Sequence, residues 1–247
     1  MLRPVRKRAV SEEVFEQLRD AIVRGGYAAG APLPAERELC EAFGVNRGSV
    51  REALRRLQQA RLVSVRHGGT SQVLDFRHSG GLDLLPELLL SAGPGGAPDA
   101  RLVASVLEMR SALGADAARL AAERGGAEAA ARLARTVEAM RGAGGDAARL
   151  QDLAAGFWEQ IVEASGNLAY RLANNSLRQV YDLCRPLLVT VLGDEIGDVD
   201  AHAALADAVK RRRAAEAERL ARALLRRGEE NVKRALGRTG RAPRRTP

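Results

Sequence analysis

The strongest constraint on the fold is a pair of short helical patterns separated by three residues. Pro34 suits the start of the first helix, because its missing amide hydrogen costs nothing in a first turn. Gly44 suits the end of that helix. Asn46 is a strong N-cap for a second helix that begins at Arg47 and runs to about Ala60. Together the two patterns predict a helix-turn-helix.

At 100° per residue, the second of these helices separates its apolar residues from its arginines. The apolar stripe consists of Val50, Ala53, Leu54 and Leu57. On another face, Arg47, Arg51 and Arg55 follow each other at spacings of four residues. Three guanidinium groups in a row repel one another unless a polyanion lies opposite, and a helix N-terminus also favours phosphate. A solvated arginine face is the alternative for an isolated helix, whereas the helix-turn-helix context favours DNA.

Two short segments of alternating hydrophobicity follow. Residues 62–65 and 70–74 are predicted strands, and residues 66–69 form the turn between them. The hairpin would complete a winged helix-turn-helix domain over residues 1–77, whose first helix begins near Ser11. His67 and two glycines at the tip of the wing would let the backbone come close to a phosphate or a groove floor. An ordinary turn is the alternative reading of His67.

The charge is concentrated at the two ends of the chain. The 247 residues carry a formal net charge of +8. The first 74 residues have 13 Lys and Arg against 8 Asp and Glu, and the last 22 have 8 against 2. Nucleic acid and an anionic membrane surface each fit such basic ends. The apolar runs are too short to span a bilayer, and the two cysteines cannot form a disulfide framework, so a cytoplasmic protein with no membrane partner is expected.

Three segments resemble a known family in both residue identity and spacing. They are Pro34-Ala35-Glu36-Arg37-Glu38-Leu39, Gly44-Val45-Asn46-Arg47-Gly48-Ser49-Val50-Arg51-Glu52-Ala53-Leu54, and His67-Gly68. This pattern is similar to the N-terminal domain of GntR-family bacterial transcription regulators, in particular the FadR subfamily. The resemblance implies operator contacts: bases or phosphates for Arg37, Arg47 and Arg51, phosphates for Asn46 and Ser49, and the minor groove for His67 and Gly68. Gly48 replaces the threonine or serine common in the family, so a hydroxyl contact is expected to be missing, and Glu36 is expected to orient a neighbouring arginine.

The composition changes at residues 78–81, a polar stretch with glycines that we interpret as a linker. Beyond it, helical periodicity over residues 82–236 predicts an all-α antiparallel helical bundle, which the resemblance assigns to effector binding and dimerisation. The fold class is therefore mainly α, a winged helix-turn-helix followed by a bundle. The predicted helices of the bundle are 82–91, 99–124, 127–141, 146–165, 168–192, 199–213 and 214–236. Residues 237–247 are predicted to be a basic disordered tail.

One charge lies in the middle of an apolar helix face. Arg110 falls near the centre of the apolar face of the helix at 99–124, where it needs a partner or a ligand. A structural salt bridge inside the bundle is the alternative. The segment Glu108-Met109-Arg110 resembles a FadR-subfamily motif whose arginine faces the effector cavity.

The resemblance also bears on metal binding. Many relatives bind a divalent metal through an aspartate, the histidine of a Phe-His pair and two later histidines. With Phe157 aligned, three of these four positions lack a ligand here, and Trp158 replaces the first histidine, while His202 is retained. A single imidazole cannot hold a structural metal. No metal or other cofactor is therefore predicted, and His202 is expected to be a buried polar residue.

Loss of the metal site favours one class of effector. Metal-dependent members generally use the metal to bind small carboxylates, whereas the acyl-CoA-responsive members of the FadR subfamily have no metal. Resemblance to the latter implies a long-chain acyl-CoA effector. Asn175 and Gln179 share a helix stripe with Leu168, Leu172 and Leu183 and are candidate pocket groups, although satisfied core amides are the alternative. The predicted effector site comprises Arg110, Trp158, Asn175, Gln179, Tyr181 and His202.

The leading hypothesis is a homodimeric regulator of fatty-acid metabolism that binds a palindromic DNA operator and is released by long-chain acyl-CoA. A regulator of carbohydrate-acid or amino-acid catabolism that senses a small carboxylate through Arg110 is the first alternative. An effector-free architectural DNA-binding protein is the second. An enzyme is not expected, because the sequence has no nucleophile-elbow, zinc-protease or dinucleotide-binding motif.

Overall fold

In the computed structural model, residues 10–65, 71–91, 99–183, 185 and 192–239 are described, with side chains as far as residue 235. The chain divides into two compact units, Met1–Pro98 and Asp99–Pro247. The predicted fold class is confirmed, because the described part of the first unit is helical with one two-stranded sheet, and the described part of the second unit has helices and no strand. No helix within the described ranges is long and apolar enough to cross a membrane.

The first unit contains the predicted helix-turn-helix and hairpin. Its elements are α1 (Val10–Val23), α2 (Glu36–Phe43), α3 (Arg47–Gln59), β1 (Val63–Val65), β2 (Ser71–Val73), α4 (Phe76–Ser79), a 3-10 turn (Leu82–Leu84) and α5 (Leu85–Leu90). Gly44 ends α2 in the left-handed conformation, with φ of 63°. The two strands pair antiparallel, with Val63 opposite Val73 and Val65 opposite Ser71.

The core of the first unit lies between α1, α3 and the hairpin. Its buried residues include Val14, Phe15, Leu18, Leu39, Val50, Leu54, Leu57, Leu62 and Val73. The predicted apolar stripe of α3 is confirmed, since all four of its residues are buried. Burial of this stripe fixes the direction in which the opposite, basic face of α3 points.

The boundary between the two units falls later than the predicted linker at residues 78–81. Helix α4 begins before that stretch, and Leu84, which follows it, is buried in the core of the first unit. Arg19 of α1 is 4% exposed and donates a hydrogen bond to Glu87 of α5 at 2.6 Å. These contacts attach residues 82–90 to the first unit rather than to the bundle.

The second unit is a helical bundle. Its elements are α6 (Ala100–Arg124), α7 (Gly126–Arg141), α8 (Ala147–Ala164), α9 (Leu168–Leu183), α10 (Gly193–Ile196), α11 (Val199–Lys210) and α12 (Ala214–Thr239). Helix α6 packs against α12 and α8, and α11 packs against α7 and α12. The main core includes Ala117, Ala118, Ala121, Leu133, Phe157, Ile161, Leu205 and Ala221. Alanines on α6 and α12 allow the two helices to pack closely.

The last helix is longer than predicted. Helix α12 continues to Thr239, so residues 237–239, which were assigned to a disordered tail, are helical. Gly237 and Thr239 are poor helix formers, so this last turn extends from the packed segment before it, in which Val232 is buried, and does not depend on their own propensity. Residues 240–247 of the predicted tail lie outside the described residues.

Candidate DNA-binding surface and effector site

The N-terminal turn of α3 presents the predicted basic face. Asn46 caps the helix, because its Oδ1 accepts a hydrogen bond from the amide of Ser49 at 2.9 Å. Arg47, in the first turn, is exposed and has no ion-pair partner among the described residues. A free guanidinium beside the first-turn amides of a helix N-terminus is suited to phosphate or to a base edge.

Arg51 is held by an acidic residue of the preceding helix. Its Nε donates to Glu36 Oε2 at 2.9 Å, which confirms the expectation that Glu36 orients a neighbouring arginine. The Arg51 side chain is 66% exposed, so the guanidinium keeps donors free for a ligand. The ion pair therefore positions Arg51 on the surface without burying it.

Arg37, the third arginine predicted to contact DNA, and Arg55, the last member of the α3 row, each lie beside a glutamate of their own helix. Arg37 is 74% exposed and lies 3.6 Å from Glu41 on the same helix. Arg55, the third member of the α3 row, donates two hydrogen bonds to Glu52, at 3.0 and 2.6 Å. The Glu52 charge balances Arg55, so the free positive charge of the row is greatest at its N-terminal end.

Gly48 and Ser49 lie close to the cap. A Cβ at position 48 would stand 3.2 Å from Asn46 Oδ1, which is closer than an ordinary van der Waals contact. Glycine at this position thus leaves the cap undisturbed. Because Asn46 Oδ1 accepts from the Ser49 amide, only its NH₂ group is left for a phosphate. His67 and Gly68, the predicted wing contacts, lie outside the described residues.

In the second unit, Arg110 forms an ion pair across the bundle. Its Nη1 donates to Glu195 Oε2 at 3.0 Å, and its Nη2 donates to Glu195 Oε1. The side chains are 23% and 3% exposed, respectively. Burial opposes the charge of Arg110, but the adjacent Glu195 carboxylate outweighs this effect and raises the pKa of Arg110 above its usual value. Arg110 therefore has the protein partner that its place on an apolar face requires.

His202 is completely buried on α11, as expected. Its Nδ1 lies 2.8 Å from the carbonyl oxygen of Asp198, an acceptor, so Nδ1 carries the proton and Nε2 is left as an acceptor. Burial lowers the pKa of His202 and favours this neutral form. The ring packs edge-on against Phe157, with ring centroids 5.0 Å apart.

Several buried polar atoms in the bundle have no hydrogen-bond partner among the residues that the structure describes. They include His202 Nε2, Trp158 Nε1 and Gln151 Oε1. The Tyr181 hydroxyl donates to the backbone oxygen of Gln151 at 3.4 Å, and burial raises its pKa. Unpaired buried polar atoms are unfavourable unless water or a ligand satisfies them, which makes Trp158 and His202 suitable effector contacts.

Asn175 and Gln179 do not line the interior. Both are exposed on α9, on the same stripe as Leu168, Leu172 and Leu183, which are 71%, 59% and 48% exposed. The expectation that these amides lie inside a pocket is corrected, because α9 buries the neighbouring face that includes Val180. Among the described residues, no group of three or more His, Cys, Asp or Glu side chains could hold a metal ion.

Comparison with known proteins places both units in one family. A model described as bacterial regulatory proteins of the gntR family matches residues 10–73, and an FCD domain model matches residues 105–227. The HTH-type transcriptional regulator Mce2R of Mycobacterium tuberculosis (strain CDC 1551 / Oshkosh) is 37% identical over 208 residues, which cover 84% of this chain and 85% of Mce2R. The chain belongs to the GntR family.

Other similarities of this GntR protein cover less of the chain or are weaker. The repressor NanR of Cronobacter sakazakii is 45% identical over 71 residues, 29% of this chain and 27% of NanR. The fatty acid metabolism regulator protein of Edwardsiella ictaluri is 41% identical over 73 residues, 30% of each chain. A GntR-family structure from Pseudomonas syringae pv. tomato, 23% identical, shares the fold with a TM-score of 0.50 over 94% of this chain and 87% of that one.

This GntR protein is thus a transcriptional regulator and not an enzyme, with an effector-binding FCD domain. Helices α2 and α3 lie within the region matched by the gntR model, and Arg110 and His202 lie within the region matched by the FCD model. Sequence reasoning missed Glu195, the partner of Arg110, because the two residues are 85 positions apart. The available signal was the unbalanced charge on an apolar helix face, which required a partner without identifying it.

Proposed function

We propose that this chain is a homodimeric, operator-binding regulator of fatty-acid or lipid metabolism, and that long-chain acyl-CoA releases it from DNA. One observation carries the DNA-binding part. At the start of the capped helix α3, Arg47 is free and Arg51 is held on the surface by Glu36. Recognition helices of helix-turn-helix proteins read bases with their N-terminal residues. Two copies related by a two-fold axis would read a palindrome.

The effector part rests on the comparisons and on the interior of the bundle. The matched fatty acid metabolism regulator covers 30% of the chain, and the described residues include no group of three or more His, Cys, Asp or Glu side chains that could hold a metal ion to bind a small acid. An apolar bundle interior with a few unpaired polar atoms is suited to a ligand that is largely apolar. The proposed effector would act by binding more tightly to the DNA-free arrangement of the protein than to the DNA-bound one.

An operator gel shift with and without effector tests the proposal. Oleoyl-CoA or palmitoyl-CoA at micromolar concentration should weaken operator binding, whereas free CoA and octanoyl-CoA serve as controls for the nucleotide and for chain length. An Arg47→Ala variant serves as the control for specific binding, because this substitution should weaken the specific protein–operator complex. Binding that is unchanged by long-chain acyl-CoA would contradict the effector assignment and leave the DNA-binding proposal intact. Sedimentation analysis and a footprint with two symmetric half-sites would support the dimer, whereas a monomer on one half-site would contradict it.

A small-carboxylate effector is the second candidate, because Arg110 is a cation inside the bundle and is 23% exposed. Thermal-shift screening separates the two candidates. A rise of several degrees with a small acid plus a divalent metal, and none with acyl-CoA, would favour the carboxylate.

A further inference from the structure

We propose that Glu195 is a built-in carboxylate ligand of Arg110, and that it makes this site reject small free carboxylates. The proposal deepens the proposed function, since it rests on the Arg110 region being the effector site. It assigns Glu195 the role of a specificity-determining residue: the anion that Arg110 would otherwise recruit from solution is supplied by the chain itself.

The geometry of the pair is that of a bound ligand. Both carboxylate oxygens of Glu195 accept hydrogen bonds from the two terminal nitrogens of Arg110. This two-point arrangement is the one by which arginine recognises free carboxylates. The Glu195 side chain is only 3% exposed, so the pair is largely shielded from water.

Helix α12 leaves space for the Glu195 side chain and contacts the residues around it. Helix α12 has glycine at position 228, where a Cβ would overlap the Glu195 carboxylate. The same helix binds the residue before Glu195, because Asn231 Nδ2 donates to Asp194 Oδ2 at 3.0 Å. It also binds the far end of the segment through an ion pair between Arg227 and Asp198. Helix α12 therefore contacts the chain on both sides of Glu195, at Asp194 and at Asp198, and Glu195 is not a mobile surface carboxylate.

The charges of Arg110 and Glu195 determine which chemical groups of an effector can bind at this site. With Glu195 in place, Arg110 has no uncompensated charge to offer, and His202 beside the pair is neutral. An incoming carboxylate would have to expel Glu195 into a poorly hydrated interior, so it would exchange one anion for another without net gain. An uncharged group meets no such barrier and finds Trp158 Nε1 and His202 Nε2 unpaired. The site thus favours a neutral, hydrogen-bonding or apolar part of an effector.

Chemical rescue tests the proposal on the full-length protein. Glu195→Ala leaves Arg110 without its partner, and the melting temperature should fall by at least about 5 °C. Sodium acetate or sodium propionate should raise the melting temperature of this variant by about 3 °C at ten times the dissociation constant, relative to sodium chloride of equal ionic strength. The wild type should show no carboxylate-specific rise.

Two controls separate this effect from general consequences of removing a glutamate. Glu128→Ala removes the partner of Arg132 in an ion pair whose Glu128 side chain is 86% exposed, and it should neither lower the melting temperature appreciably nor respond to acetate. The double variant Arg110→Met/Glu195→Met removes both charges at similar volume, and it should fold without any response to carboxylates. If Glu195→Ala does not yield soluble protein, Glu195→Ser, which also leaves the space of the carboxylate empty, replaces it in the same titration.

The outcomes are decisive in either direction. Carboxylate-specific stabilisation of the Glu195 variant alone supports the proposal. Saturable stabilisation of the wild type by acetate or propionate overturns it, and so does a Glu195 variant that does not respond to carboxylates. Operator binding by the wild type is measured separately, so a failure of the proposed regulatory function is distinguishable from a failure of the Glu195 assignment.

Discussion

Glu36 on α2 accepts a hydrogen bond from Arg51 Nε on α3 at 2.9 Å, and so links the two helices of the helix-turn-helix at the surface proposed to face DNA. The Glu36 side chain is 33% exposed and that of Arg51 66% exposed. A pair so accessible to water contributes little to folding. Its consequence is orientation: it fixes one end of the guanidinium and leaves the other end free.

Replacing Glu36 by Gln should therefore impair DNA binding more than stability. We expect the free energy of unfolding to change by less than about 1 kcal/mol, because the ion pair is exposed. Operator affinity should fall by roughly threefold to tenfold, since Arg51 must then be ordered on binding. Fluorescence anisotropy with labelled operator, alongside denaturant unfolding, measures both quantities. A loss of stability larger than the loss of affinity would assign Glu36 a structural role instead.

Replacing Arg47 by Ala should weaken operator binding by about 1–3 kcal/mol if Arg47 reads a guanine, and it should flatten the base preference at one position. Arg55→Ala is the matched control from the same row, because Arg55 is already paired with Glu52; its effect should be smaller. Binding measured over operators with single base changes separates the possibilities. A uniform loss on every sequence would make Arg47 a phosphate contact.

Asn46 has two roles that different substitutions can separate. Asn46→Ala removes the cap and should lower the free energy of unfolding by about 0.5–2 kcal/mol. Asn46→Ser keeps an oxygen that can cap the Ser49 amide but removes the NH₂ group, so stability should be retained while operator affinity falls. Thermal unfolding and operator titration of both variants check this. Full operator affinity in Asn46→Ser would show that operator binding does not need the Asn46 amide.

The features that could be predicted from the sequence are mostly local. The Asn46 cap, the buried stripe of α3 and the place of Glu36 depend on neighbours along one helix or on two helices joined by a short turn. The helical periodicity of α9 likewise indicates that Leu168, Leu172 and Asn175 share a face. It does not indicate whether that face is the buried one, which depends on the helices packed against α9. Apolar content suggested an interior location, and the structure has the stripe exposed.

Ion pairs between residues far apart in the sequence cannot be predicted from local sequence patterns. Arg110 could be recognised as a charge in need of a partner, but Glu195 lies on a short helix that only the packed bundle brings to it. The same holds for Gly228, a glycine in the interior of a long helix, where it would ordinarily be unfavourable. Its role becomes evident only when the Glu195 carboxylate is seen in the space a side chain would occupy.

Whether Gly228→Ala raises or lowers the free energy of unfolding depends on this contact. In an open helix, alanine in place of glycine is favourable by roughly 0.5–1 kcal/mol. At position 228 the added Cβ would overlap the Glu195 carboxylate, which can move only by leaving Arg110. Breaking a buried ion pair costs about 3–5 kcal/mol, with the low end expected here because Arg110 is 23% exposed. The net result should be a loss of about 2 kcal/mol in the free energy of unfolding.

Gly156→Ala is the matched control, because Gly156 lies within α8 and a Cβ there would meet no atom within 4 Å. That variant should be as stable as the wild type or more stable, whereas Gly228→Ala should unfold at lower denaturant concentration. If both variants are stabilised, Glu195 can move without losing Arg110, and the close approach at Gly228 is not what holds the pair together. Combining Gly228→Ala with Arg110→Met/Glu195→Ala should remove most of the penalty, since the carboxylate that the new Cβ overlaps is then absent and alanine leaves its space empty.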